Sequence, residues 1–199
     1  MTRERRSLPL VLELPLLLVA TIVLTLLVKA LLAQAFYIPS ASMEPQLLEG
    51  DRVVVSRLAY RLHDPRRGDI VVFPSPAAPA DDEGLVEGLV HDLLESVALR
   101  HPGDDVLIKR VVGLPGETIE GRDGVVWIDG RRLTEPYLSD ALTSDFGPAD
   151  VPAGHVFVLG DNRTNSHDSR FPDIGPIPED TIIGRATHRI WPPLRTAFL

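Results

Sequence analysis

Apolar residues form one long run near the N-terminus and then recur only in short segments. The run covers residues 14–35, which makes 22 positions, and is interrupted only by Pro15, Thr21, Thr25, Lys29 and Gln34. At about 1.5 Å per residue, a helix of this length would extend roughly 33 Å, enough to cross a bilayer. The pattern predicts a single transmembrane anchor over 14–35, preceded by a short segment, 1–13.

Three arginines near the start of the chain, Arg3, Arg5 and Arg6, favour a cytoplasmic N-terminus, which puts residues 36–199 on the other side of the membrane. A removable secretory signal is the competing interpretation, because residues 33–35 read Ala-Gln-Ala, a small-x-small cleavage site. The apolar run is longer than the roughly 7 to 15 residues of a usual signal core. An uncleaved anchor is therefore the prediction.

Beyond the run, the apolar segments are short and rich in Val and Ile, which is typical of β-strands. They cover residues 52–56, 69–73, 107–112, 125–128, 156–159 and 182–190. Turn signals separate them, and Asp129-Gly130 before Arg131 predicts a tight hairpin. The expected fold of 36–199 is mainly β, an antiparallel sheet or barrel-like domain.

Residues 77–105 differ from their surroundings, because an Ala/Pro and acidic lead-in precedes apolar positions at four-residue steps. These positions are Leu85, Leu89, Leu93 and Val97. The spacing predicts a variable insertion that carries one small amphipathic helix.

Charge and composition narrow the class of protein. A net charge of −8 with a pI near 5.2 argues against a nucleic-acid binder. The chain has no cysteine, which excludes disulfides and thiolate chemistry, and its six histidines show no paired metal-binding spacing. We expect neither a metal nor an organic cofactor.

Ser40 and Ser42 stand one residue apart just beyond the apolar run. Pro39 and Pro45 favour an extended backbone here, in which both side chains would point to one face. One hydroxyl could then act as a nucleophile and its neighbour as an oxyanion donor, provided that a base lies elsewhere in the chain. A simple polar turn after the anchor is the alternative.

Lys109 is the candidate base. Strand alternation places it on one face with Leu107 and Val111, and a lysine on an apolar strand face is unusual. To act near neutral pH, its pKa must fall by roughly 3 units, or about 4 kcal/mol, which desolvation can supply. The alternative is an edge-strand lysine that reaches water.

Residues 160–170, Gly-Asp-Asn-Arg-Thr-Asn-Ser-His-Asp-Ser-Arg, are dense in hydrogen-bonding side chains. The adjacent His167, Asp168 and Ser169 do not form a hydrolase triad on our interpretation, because sequence neighbours rarely converge on one point and no glycine elbow accompanies them.

Taken in order, these stretches resemble the type I signal peptidases, membrane-bound Ser/Lys endopeptidases that remove signal peptides from exported proteins. The motifs are PSASMEP at 39–45, RGDIVVF at 67–73, KRVVGLPGE at 109–117 and GDNRTNSHDSR at 160–170. The resemblance covers the anchor and the core domain but not 77–105.

The resemblance implies a role for individual residues. Ser42 would be the nucleophile and Lys109 the general base, with the Ser40 hydroxyl and the Ser42 backbone N–H as oxyanion donors. Supporting residues would be Ser166, which orients Lys109, and the ion pairs Asp161–Arg110 and Asp168–Arg170. The walls of the substrate pockets would be Phe36, Ile38, Leu107 and Ile108.

The implied function is cleavage of signal peptides after small residues at Ala-x-Ala-like sites, at the plasma membrane. Expected partners are preprotein signal peptides, the lipid bilayer and the protein-export machinery. Two alternatives share some of these features: a catalytically silent, membrane-tethered β-module, and a self-cleaving Ser/Lys protease.

Overall fold

β-Strands make up most of the computed structural model of the protein, which describes residues 10–76, 106–138 and 143–199. The α-helices are α1 (Leu10–Leu32) and α2 (Ala59–Leu62). The strands are β1 (Ala33–Tyr37), β2 (Arg52–Ser56), β3 (Ile70–Pro74), β4 (Val106–Gly113), β5 (Thr118–Arg122), β6 (Val125–Ile128), β7 (Arg131–Arg132), β8 (Phe146–Asp150), β9 (His155–Leu159), β10 (Ile177–Pro178), β11 (Gly184–Trp191) and β12 (Ala197–Phe198). The prediction of a mainly β fold is confirmed.

The strands form two antiparallel sheets. The larger has the order β1-β2-β11-β3-β4-β9-β10, with β12 added to β11, and the smaller has the order β7-β6-β5-β8. Both have free ends among the described strands, so the part of the chain described here forms two open sheets rather than a closed barrel. The predicted hairpin is present between β6 and β7, where Asp129 and Gly130 have φ of 49° and 72°.

Alternation along the central strands builds a core on each face of the larger sheet. In β3, Ile70 and Val72 pack with Phe36 in one cluster, whereas the intervening Val71 and Phe73 pack into another. A third cluster, which contains Val112, Ile119 and Phe157, includes residues of both sheets. Because both faces of β3 and β4 are covered, a charged side chain on β4 must be desolvated.

The boundary between helix and strand differs from the prediction. The anchor was expected over 14–35, but α1 ends at Leu32 and residues from Ala33 onward pair with β2, with Ala33 opposite Ser56 and Tyr37 opposite Arg52. Ladder hydrogen bonds to β2 thus replace the last helical turn. Within the described residues, no helix combines the length and the apolarity that crossing a membrane requires. The transmembrane part of the prediction is therefore not confirmed.

Two other predictions concern residues outside the described part of the chain. One is the amphipathic helix in the insertion at 77–105, and the other is the cytoplasmic position of the N-terminal arginines.

Candidate active site

The turn that carries Ser42 follows β1 and a short extended segment. Ser40 is exposed and extended, with φ −136° and ψ 155°, and residues Ala41–Met43 form one turn of 3-10 helix in which Ser42 is buried. The prediction of an extended backbone through both serines is wrong, because Pro45 lies beyond this turn and does not prevent it. The turn nevertheless brings the hydroxyls together, with 3.2 Å between Ser40 Oγ and Ser42 Oγ.

Backbone and side-chain contacts hold the turn on both sides. The Ile38 N–H donates to Asp51 O, and the Gly50 N–H donates to Ile38 O, each at 2.9 Å. The buried Met43 and Leu47 anchor the turn in the core. The position of the Ser42 hydroxyl is thus set by packing beneath the turn.

Lys109 reaches Ser42 from the middle of β4. Its Nζ lies 3.0 Å from Ser42 Oγ and 3.0 Å from Ile108 O, and the residue is only 3% exposed. Burial lowers the Lys109 pKa to about 8, although the charges of Asp168 and Asp161 oppose this shift. The geometry and the pKa both suit a general base that works near neutral pH.

Two buried ion pairs lie close to these residues. Arg110, next to Lys109 in β4, donates to Asp161 at 2.8 and 2.6 Å and to Gly68 O at 2.7 Å. Burial raises the pKa of the Asp161 carboxyl, and the hydrogen bonds and charge of Arg110 act in the opposite direction. The pair fixes the segment after β9 against β4.

The second ion pair lies within the polar segment itself. Asp168 accepts from Arg170 at 2.7 and 3.0 Å and from the Gly160 N–H at 3.0 Å. Arg170 also donates to Ser166 O at 3.1 Å. His167 contacts Asp173 instead of its sequence neighbours, so the structure forms no triad from these residues.

Ser166 differs from the expectation. Its buried Oγ has no hydrogen-bond partner among the described residues, so the predicted bond to Lys109 is not formed. The hydroxyl packs against Gly160: a Cβ at that glycine would lie 2.2 Å from Ser166 Oγ and 2.5 Å from Ser42 O. Ser166 and Ser42 therefore flank the same glycine, and the absence of a side chain there lets them approach.

The predicted pocket residues lie together beside the serines. Phe36, Ile38, Leu107 and Ile108 line one small cleft between β1 and β4, with Tyr37, Pro39, Val72 and Val106. The wall is mostly apolar. Pro39 of this lining is next to Ser40 in the chain, and Ile108 is next to Lys109.

Comparisons with known proteins show the family of the chain. The model of the family described as "Signal peptidase, peptidase S26" matches residues 11–191. The chain belongs to this signal peptidase family. The resemblance inferred from the motifs is confirmed, and so is the predicted class of enzyme, a serine endopeptidase.

Relatives of this family match over most of their length. A probable signal peptidase I-2 from Synechocystis sp. is 38% identical over 189 residues, which cover 94% of this chain and 77% of the relative. Signal peptidase I from Leptolyngbya laminosa is 41% identical over 173 residues, with 86% and 75% covered. A crystal structure of a signal peptidase I from Enterococcus faecalis shares 32% identity, with a TM-score of 0.42 and with 62% of this chain and 97% of that one covered.

Three further residues, which the sequence analysis did not select, form contacts around the site of this signal peptidase family member. Arg163 is fully buried and pairs with Glu135, and Tyr137 contacts both Glu135 and Arg110. Arg163 stands within the polar segment, but Glu135 lies 28 positions away, so no local pattern links the two. Within the described residues, no group of His, Asp and Glu side chains is arranged to hold a metal.

Proposed function

We propose that this chain is a serine endopeptidase that cleaves signal peptides from exported preproteins after small residues, with Ser42 as nucleophile and Lys109 as general base. One observation carries the proposal: the buried Lys109 Nζ lies 3.0 Å from Ser42 Oγ. A lysine amine with a pKa near 8 is partly neutral at physiological pH and can accept the serine proton.

The chemistry follows from this contact. Neutral Lys109 takes the proton of Ser42 as Oγ attacks the scissile carbonyl carbon, and the carbonyl electron pair moves onto the oxygen. When the tetrahedral intermediate collapses, the C–N bond breaks and the Lys109 ammonium gives its proton to the leaving amine. Lys109, neutral again, then deprotonates a water that attacks the acyl carbon. When this second intermediate collapses, the C–Oγ bond breaks, the Lys109 ammonium returns its proton to Ser42 Oγ, and the signal peptide leaves with a free carboxylate. The same base thus serves both halves of the reaction.

Oxyanion stabilisation is proposed for two donors. These are the Ser42 backbone N–H and the Ser40 hydroxyl, whose Oγ lies 3.2 Å from Ser42 Oγ. In other hydrolases, one such donor contributes about 3 to 4 kcal/mol to transition-state stability. Ser40 is exposed and can turn toward a bound substrate.

We propose that one cleft makes the enzyme select small substrate residues. Its walls are Phe36, Ile38, Leu107 and Ile108. Phe36 and Ile38 are almost fully buried, so the cleft is shallow and its wall cannot retreat to admit a large side chain. An extended substrate would present alternate side chains to this wall.

A membrane location is also part of the proposal. Leu14, Leu16, Leu17 and Leu18 of α1 are each more than half exposed, an arrangement that is unfavourable in water and favourable in lipid. We propose a plasma-membrane protein with residues 1–13 cytoplasmic, an anchor that begins at Leu14 and ends with α1 at Leu32, and an extracytoplasmic domain from Ala33 onward. Alkaline extraction of membranes and protease protection of the expressed chain test this topology.

The test of the activity uses the full chain in detergent and a preprotein with an Ala-x-Ala site. We expect one new N-terminus, directly after the second alanine. Ser42→Ala and Lys109→Ala should abolish processing while the domain stays folded, and Lys109→Arg should fail as well because a guanidinium stays protonated. Near-normal turnover by any of these variants would refute the Ser/Lys assignment. An inactive wild type would favour the silent β-module instead.

A further inference from the structure

Glu135 and Arg163 form a buried ion pair close to the Ser42 turn. Glu135 accepts from Arg163 at 3.0 and 2.5 Å, and the side chains are 8% and 0% exposed. Arg163 also donates to Thr143 Oγ1 at 2.8 Å and to Gly160 O at 2.9 Å. Its guanidinium therefore ties the segment after β7 to the segment after β9.

Gly160 lies between this ion pair and the nucleophile Ser42. The residue lies so close to Ser42 that an added Cβ would stand 2.5 Å from Ser42 O. Two residues further on, the Asn162 N–H donates to that same carbonyl oxygen at 3.1 Å. A shift of Gly160 would thus displace the peptide group of Ser42.

Tyr137 joins this ion pair to the neighbouring one. Its hydroxyl donates to Glu135 Oε1 at 2.6 Å, and its ring lies 4.0 Å from the guanidinium carbon of Arg110. Arg110 in turn holds Asp161, the residue after Gly160. Glu135 and Tyr137 therefore act on both ends of the Gly160–Asp161 peptide, one through Arg163 and the other through Arg110.

We propose that Glu135 and Tyr137 are positioning residues for peptide-bond cleavage, which fix the Gly160–Asp161 peptide and through it the Ser42 turn. The inference rests on the proposed function of Ser42 and Lys109. Neither residue lines the cleft that would receive the substrate. Their contribution is expected in the rate of the chemical step rather than in substrate binding.

Two conservative variants test the proposal. Glu135→Gln keeps the size of the side chain but removes one acceptor and the charge that Arg163 contacts. Tyr137→Phe keeps the ring over Arg110 and deletes only the hydroxyl that holds Glu135. Small displacements of catalytic groups can lower rates by as much as about 10²-fold. We expect kcat to fall about 10-fold or more for Glu135→Gln and less for Tyr137→Phe, with KM within about twofold of wild type.

The chain offers a matched control in Tyr60. This tyrosine is also partly buried and also donates its hydroxyl to a carboxylate, that of Asp69 at 3.1 Å. It lies on α2, and in the described part of the chain its hydroxyl does not bond to residues 160–163. Tyr60→Phe removes the same hydroxyl at a carboxylate that does not bond to Arg163. Its kcat should stay normal even if its melting temperature falls as much as that of Tyr137→Phe.

Steady-state kinetics, thermal melts and amide NMR spectra of the full chain in detergent decide the matter. If Glu135→Gln and Tyr137→Phe lower the melting temperature but leave kcat unchanged, or raise only KM, the two residues are merely structural and the proposal is overturned. Should the wild type not cleave the preprotein, the proposed function fails, and the NMR spectra then test positioning alone. Changes in the chemical shifts of the Ser42 and Gly160 amides in both Glu135→Gln and Tyr137→Phe, but not in Tyr60→Phe, would support the positioning role. Unchanged amide shifts in the two variants would overturn it.

Discussion

Asn162 binds two successive carbonyl groups of the nucleophile turn. Its backbone N–H donates to Ser42 O at 3.1 Å, and its Nδ2 donates to Ala41 O at 3.1 Å. The Ala41 carbonyl belongs to the peptide group whose N–H is that of Ser42, the proposed oxyanion donor. The direction of this N–H is thus fixed before any substrate arrives, as electrostatic preorganisation requires.

Gly160→Ala should abolish processing. The added Cβ would lie 2.5 Å from Ser42 O and 2.2 Å from Ser166 Oγ, so the turn must move. The control is Gly154→Ala, which strains a residue with φ of +70° but meets no atom within 4 Å. A preprotein-cleavage assay should show loss of activity only for the first variant. Equal activity of the two would mean that the contact between Gly160 and Ser42 is dispensable.

Ser40→Ala tests the oxyanion donor. Because Ser40 is exposed, the fold should tolerate the change, whereas kcat should fall about 10²-fold with little change in KM. Ser40→Thr keeps a hydroxyl and should recover part of the loss. Steady-state kinetics alongside thermal melts measure both effects. A Ser40→Ala variant with normal kcat and a lowered melting temperature would leave Ser40 only a structural role in the turn.

The pH dependence of the reaction should report Lys109. Only the neutral amine accepts the Ser42 proton, and burial lowers its pKa to about 8. The rate should therefore rise with pH through about 8 and then level off. A profile of kcat/KM from pH 6 to pH 10.5 checks this expectation. A rate that climbs to about pH 10 without a plateau would show that the active amine has the pKa of an exposed lysine.

Stability should depend on pH in the same interval. Between about pH 8 and 10.5 the unfolded chain binds more protons at Lys109 than the folded one, so folding stability rises with pH there. Below about pH 8, Lys109 is protonated in both the folded and the unfolded chain. Burying its charge then lowers the free energy of unfolding by roughly 3 kcal/mol. Lys109→Met lacks this cost and should be more stable than wild type at pH 7, with a smaller difference at pH 10.5. Denaturant unfolding at both pH values measures the difference in free energy of unfolding between the variant and wild type. A difference that does not change with pH would contradict the desolvation of Lys109.

Strands with many β-branched residues could be predicted from sequence because their apolar faces repeat locally. β2 has the predicted bounds, and β4 differs by one residue at each end. β1 was missed because Ala-Gln-Ala-Phe-Tyr continues an apolar run, and only its pairing with β2 shows that it is extended. β8 was missed because the sequence Phe-Gly-Pro-Ala-Asp combines poor strand formers with no alternation.

In the candidate site, too, some features could be predicted from the sequence and others could not. Ser42 and Lys109 could be proposed as partners because each stands in a dense motif, and the structure places them in contact. The pairing of Glu135 with Arg163 could not, since two charged residues far apart in sequence give no local sign of their contact. The 3-10 turn at Ser42 depends on anchoring by Met43 and Leu47 in the core, which proline positions alone do not reveal.

The direct passage from α1 into β1 has a mechanical consequence. Leu32 ends the helix and Ala33 begins the strand, so no loop separates the two elements. The strand is locked in register with β2, which fixes the distance from the last helical residue to Ser42. One residue inserted at this joint would turn the helix by about 100° about its axis and leave Ser42 where it is. The joint thus separates two quantities: the spacing between the end of α1 and Ser42 is set by the β1–β2 register, whereas the face that the helix presents is set by the number of residues at the joint.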